Sequence, residues 1–202
     1  MKGELYETKV FWTSLTRFYF VHNCGGNSRL CNLFFKLAID YALRLNALIY
    51  QTLDNYKYLI SILILIILGI SFAQSKIIKR IPIVKGGGIP TSEGIVRGSI
   101  SFDPLLTGVF TAILSFLSYI IGMPLGGEGP SVAIGTSISR LVSRICPSYD
   151  EVYKGYLMTA GASVAFAVAT GTIISGVIFA LEEIHRRFSP MIILVSFQAV
   201  IS

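Results

Sequence analysis

Between Tyr58 and Gln74 the chain has no charged residue, and from Leu59 it reads Leu-Ile-Ser-Ile-Leu-Ile-Leu-Ile-Ile-Leu-Gly-Ile-Ser-Phe-Ala. A run of this kind approaches the roughly 20 residues that cross a bilayer as a helix. Hydrocarbon offers no partner to a backbone N–H or C=O, so only helices and closed barrels can span it. Nothing inside the run resembles a turn, so a helix is expected rather than a pair of buried strands. This stretch commits the chain to a membrane.

Composition agrees. Of the 202 residues, 53% are hydrophobic and 14% charged, with a mean hydropathy of +0.68. A soluble domain carries roughly 25% charged residues. The net charge of +6 comes from short Lys and Arg runs between apolar stretches, which suits loops on the cytoplasmic face. Nucleic acid is not the expected partner, because long charge-free stretches separate the basic runs. The expected surroundings are the lipid bilayer of the cell membrane. Cys24, Cys31 and Cys146 lack CxxC spacing and have no neighbouring His, so neither a zinc site nor a disulfide framework is expected. The polar first residues lack the apolar core and cleavage site of a signal peptide.

Residues 1–28 are the least defined segment, with Gly25-Gly26-Asn27 reading as a break. Residues 29–202 read as one transmembrane domain. From Leu30 to Leu53, Leu33, Leu37, Tyr41, Leu45 and Leu48 recur at helical spacing, with Lys36, Asp40 and Arg44 on another stripe. That helix should face protein or the membrane interface, and Asp54-Asn55 should end it. After the apolar run, Lys76, Lys79, Arg80 and Lys85 mark a cytoplasmic end. Pro104 to Leu125 is a second charge-free stretch. Gly155 to Leu181 is a third, rich in the small residues that let membrane helices approach closely. Thr170-Gly171-Thr172 should divide it into short, partly re-entrant helices.

Within this apolar background stands Gly126-Gly127-Glu128-Gly129-Pro130, where Glu128 and Arg140 are the only charges between Asp103 and Leu141. An ionisable group in hydrocarbon is expensive and marks a functional site by default. The glycines let backbone N–H groups approach a ligand, and Pro130 suits a first helical turn continuing through Ser131 to Ile134. A helix N-terminus attracts anions through its unpaired N–H groups and its dipole. A tethered carboxylate there can occupy the anion site itself, which makes it a gate. Gly86-Gly87-Gly88-Ile89-Pro90 is a second loop of the same type. Taken alone it reads as a turn. Paired with the first, it points to a transporter site built from broken helices.

These loops, followed by Gly176-Val177-Ile178-Phe179-Ala180-Leu181-Glu182-Glu183, resemble the CLC family of chloride channels and chloride/proton antiporters. Its signatures are G-S-G-I-P, G-K/R-E-G-P and G-V-L-F-x-x-E-E, and the resemblance runs from about Ile60 to Ser202. It implies an all-α integral membrane protein of tilted, partly re-entrant helices, forming about one of the family's two inverted repeats. It implies that Gly86, Gly87, Gly88, Ile89 and Pro90 form one anion-binding loop. Gly126, Gly127, Gly129 and Pro130 would form the other. Glu128 would be the gating and proton-carrying glutamate, and Glu183 the internal proton-transfer glutamate of an exchanger. Chloride or a similar anion and protons would be the partners, a homodimer the assembly, and no cofactor is implied.

Three departures from the pattern matter. Gly87 stands where the family has a serine hydroxyl, Gly127 replaces a Lys or Arg, and Ile173 sits where bacterial relatives often have Pro. The later G-x-F-x-P motif and the Tyr that completes the central site are absent from the sequence. The alternative is therefore a non-transporting fragment or half-protein that needs a complementary C-terminal half. An enzyme is not expected. His22 and His185 are the only histidines, neither lies near a G-x-S-x-G elbow, and no nucleotide-binding loop is present.

Overall fold

The computed structural model describes the backbone of all residues except 1, 56–58, 86, 124, 146–149 and 187, and not the side chains of 2–18, 53–55 and 59. Gly86 of the first expected loop, together with Pro124, Cys146, Pro147, Ser148 and Arg187, therefore lies outside the described residues. What is described is helical: α1 (Lys2–Asn55), α2 (Leu59–Arg80), a 3₁₀ turn (Pro82–Lys85), α3 (Ile89–Val96), α4 (Pro104–Ile120), α5 (Glu128–Arg144), α6 (Glu151–Thr170), α7 (Ile173–Phe179), a π-helical segment (Ala180–His185) and α8 (Pro190–Ile201). Among the described residues there is no strand.

The largest difference from the sequence reading is at Gly25-Gly26-Asn27, which is no break. Helix α1 runs straight through it. Gly25 is there for packing, because a Cβ on it would stand 2.5 Å from the carbonyl oxygen of Ala199 in α8. One face of α1 carries Cys24, Ser28 and Asn32, all buried. The Ser28 hydroxyl donates to the Gly135 carbonyl at 3.2 Å and lies 3.2 Å from Ser139 Oγ, fixing α1 to α5. Propensity reads two adjacent glycines as a turn, but close helix contact outweighs it.

Helix α2 follows the expected span and extends it to Arg80. Residues Ile60–Arg80 form the one described helix long and apolar enough to cross a membrane, and 6% of it is buried within the protein. At 1.5 Å per residue it covers the roughly 30 Å of a hydrocarbon core. Its polar Gln74 is buried instead, donating to Leu114 O at 3.2 Å and to Ser118 Oγ at 3.1 Å in α4. An amide that faced lipid would lack partners, so these bonds set which side of α2 meets the protein.

The remaining helices are short. The 8 residues of α3 and 7 of α7 extend roughly 10–12 Å, well under a bilayer's thickness. Neither is long enough to cross by itself, in keeping with the glycine and proline punctuation around them. Helix α6 is the hub, buried along Leu157–Ala165 and packed by α1, α5, α7 and α8. It meets α5 where Gly135 and Gly161 bring backbone against backbone. Gly171, left-handed at φ 80, ends α6, and Ile173 opens α7. That is the first-turn position proline suits best.

Candidate functional site

The two glycine loops meet. Gly88 caps α3 at φ 84, ψ −55, with Pro90 in the first turn and its carbonyl accepting from Ser92 N at 2.9 Å. Gly127 caps α5, its carbonyl accepting from Ser131 N at 3.2 Å. A Cβ on Gly88 would stand inside the carbonyl of Gly129, and a Cβ on Gly129 inside that of Gly87. No side chain fits between these strands of backbone, so glycine is required on both sides. Neither cap makes a side-chain hydrogen bond. The first-turn N–H groups of both helices thus keep no intrahelical acceptor, and two positive dipole ends converge.

The loops differ in exposure. Gly87 is exposed, with nothing within 4 Å of a Cβ placed on it, whereas Gly88 and Gly129 are buried. Ile89 is half-buried and joins the cluster formed by Val132, Ala162, Phe179 and Ile184, which pins α3 between α5, α6 and α7. Pro90 is exposed and Pro130 half-buried.

Glu128 lies inside the helix rather than before it. Pro130 reads as the start of α5, yet the helix begins at Glu128 and Pro130 is its third residue. Proline is tolerated throughout the first turn, where its missing N–H would be unpaired anyway. This shift places the Glu128 carboxylate in the turn that carries the positive end of the dipole. The side chain is exposed and folds back over the preceding loop, with Oε2 2.7 Å from where a Cβ on Gly126 would stand. Gly126 keeps that space open.

Beside this turn are residues that nothing in the local pattern singles out. A Cβ on Gly127 would lie 3.7 Å from both Tyr119 Oη in α4 and Ile39 Cδ1 in α1. Tyr119 reads as one more apolar-face residue in a charge-free helix. The connection from the end of α4 at Ile120 to the start of α5 at Glu128 is what returns it to the α5 N-terminus.

Glu183 falls in the π-helical segment after α7, and both it and Glu182 are exposed. Among the described residues Glu183 has no ion pair. Instead the partly buried acid at this end is Glu93, paired with Arg97 at 3.0 Å and Arg186 at 3.1 Å. Arg97 Nε also donates to Ile184 O at 3.2 Å, tying α3 to the segment that carries Glu183. The i,i+4 spacing of Glu93 and Arg97 was the available signal, and Arg186 had none. His185, not expected to be a ligand, packs its ring on Tyr156 with centroids 6.1 Å apart and holds Nε2 2.8 Å from Thr159 Oγ1.

The family model for voltage gated chloride channels matches residues 45–202. The chain belongs to the voltage gated chloride channel family. Among curated proteins the chain is similar to chloride channel protein C of Dictyostelium discoideum, 30% identical over 125 residues, covering 54% of this chain and 16% of that protein. Among solved structures, a slow cyanobacterial Cl-/H+ antiporter superposes with a TM-score of 0.82 at 24% identity, over 92% of this chain and 44% of the antiporter chain. The fold is that of the family, and the chain is a multi-pass membrane protein. It spans less than half the length of these relatives. The fold likeness extends into α1, ahead of the family match, because 92% coverage of 202 residues cannot be reached from residue 45 onward.

Proposed function

We propose that the chain forms one side of a pathway moving chloride or a similar anion across the cell membrane, with Glu128 as its gate. The observation that carries this reading is the backbone contact between Gly87-Gly88 and Gly129, which converges two uncapped helix N-termini beside an acid in the first turn. As a carboxylate, Glu128 competes with a free anion for those amides. Protonation removes its charge and its attraction to the dipole, so it leaves and carries a proton with it. Glu183, at the position of the exchangers' inner glutamate, would deliver protons from the other side. The relatives' descriptions as chloride channel and Cl-/H+ antiporter support chloride as the anion, and family resemblance supports a homodimer.

Proteoliposomes carrying the wild-type chain, Glu128→Gln and Glu183→Gln test the roles. Glu128→Gln should alter anion flux and remove its pH dependence. Glu183→Gln should abolish proton movement while sparing anion flux. Indistinguishable fluxes in all three would sink both assignments.

A second reading is that this polypeptide moves no anion alone and requires a complementary half. Its support is that the chain covers 44% of the antiporter chain and that both Glu128 and Glu183 are exposed. Absence of flux from the purified chain, restored by co-reconstitution with a polypeptide carrying the missing G-x-F-x-P segment, would favour it.

A further inference from the structure

Tyr119 is 3% exposed, and its hydroxyl is buried without a hydrogen-bond partner among the described residues. A buried donor left unmade is costly, and such groups are rare unless something absent from the protein satisfies them. The surroundings of this oxygen are specific. A Cβ on Gly127 would stand 3.7 Å from it, and Gly127 is the uncapped N-cap of α5. The apolar Ile39 Cδ1 stands equally 3.7 Å from that Cβ position and offers no acceptor. The unpaired groups at this turn, the first-turn amides of α5 and the phenol, are donors, and the charge that acts on the phenol is the Glu128 carboxylate of the same turn. Donors gathered about a tethered carboxylate describe a site that a free anion can fill in its place.

We propose that Tyr119 Oη donates a hydrogen bond to a small monovalent anion held at the α5 N-terminus, supplying a side-chain ligand to a site otherwise made of backbone. The inference rests on the anion-pathway reading above and deepens it. It assigns the hydroxyl to α4 of this chain, while Gly87 offers none on the α3 side. Because these ligands are N–H and O–H donors with an apolar side chain beside them, the site suits a weakly hydrated halide and penalises a large or multiply charged anion.

The test uses the full chain in detergent, titrated with sodium bromide by isothermal calorimetry, with sodium gluconate holding ionic strength. Tyr119→Phe removes only the hydroxyl. The expected result is bromide binding by the wild type and an affinity lower by about 10- to 100-fold in Tyr119→Phe, the range for a hydrogen bond to a charged group. In gluconate alone, Tyr119→Phe should melt at or above the wild-type temperature, because an unpartnered hydroxyl is lost. Equal bromide affinity in both proteins overturns the Tyr119 assignment and leaves the anion-pathway reading standing. No bromide binding by either protein overturns both. A Tyr119→Phe chain that melts well below wild type in gluconate, or fails to fold, shows that the hydroxyl has an internal partner and overturns the proposal.

Discussion

The contact between the loops predicts an ordered set of costs for adding a single methyl group. Gly88→Ala meets two penalties. Its backbone at φ 84, ψ −55 is one that L-residues occupy only under strain, at roughly 1–3 kcal/mol. Its Cβ would also collide with the Gly129 carbonyl, and forcing backbones apart in a packed interior costs roughly 1–3 kcal/mol more. The sum is about 2–6 kcal/mol. Three further substitutions separate the two contributions. Gly129→Ala collides with Gly87 without a positive φ, so it should cost roughly 1–3 kcal/mol. Gly98→Ala has φ 73 and open space around its Cβ, so it should cost roughly 1–2 kcal/mol. Gly87→Ser enters open space at no positive φ and should stay within about 0.5 kcal/mol of wild type. Denaturant titrations of the purified chain in one detergent, followed by its Trp and Tyr fluorescence, would rank them. If Gly88→Ala costs no more than Gly98→Ala, the two loops do not touch and the converging N-termini fail as a basis for an anion site.

Elsewhere, Glu93→Gln should cost about 1–3 kcal/mol in the same titration, because it strips a partly buried acid from Arg97 and Arg186. Glu183→Gln, exposed on the same side, should leave stability unchanged, so that any loss of proton movement there is functional. At the polar entrance to α6, Glu151 is held below its ordinary 4.5, first by the hydrogen bond from Lys154, with burial the next effect and opposing it, and then by Arg140. A carboxylate lowered on folding stabilises above its unfolded pKa, and that contribution disappears as pH falls through the folded one. Glu151→Gln should therefore flatten the acid limb of a melting-temperature profile below about pH 4.5. Because the side chain is 72% exposed, the effect should amount to only a few tenths of a kcal/mol.

Much of this architecture is legible in the residues because a membrane allows few solutions. A charge-free run of membrane length must be a helix, as α2 is, and clustered glycine and proline mark where helices start or stop, as before α3, at α5 and at Gly171. The pairing of two such loops was legible for the same reason, since glycine is the residue that leaves amides uncovered. What local pattern could not supply was the meaning of a glycine whose reason lies in another helix. Gly25-Gly26 reads as a turn, and only the carbonyl of Ala199 in α8, residues away in sequence and adjacent in space, shows it to be a packing contact. Glu128 itself was evident as an isolated acid. Its place as the first residue of α5, its fold over Gly126 and the arrival of the Tyr119 hydroxyl at the same turn were decided by how α4 reverses into α5. Sequence by itself determined the solvent, the helices and the acid, because each follows from local chemistry in hydrocarbon. Tertiary structure alone decided which backbones touch and which buried hydroxyls, Tyr119's among them, are left without a partner among the described residues, because those depend on chain segments that composition and spacing do not connect.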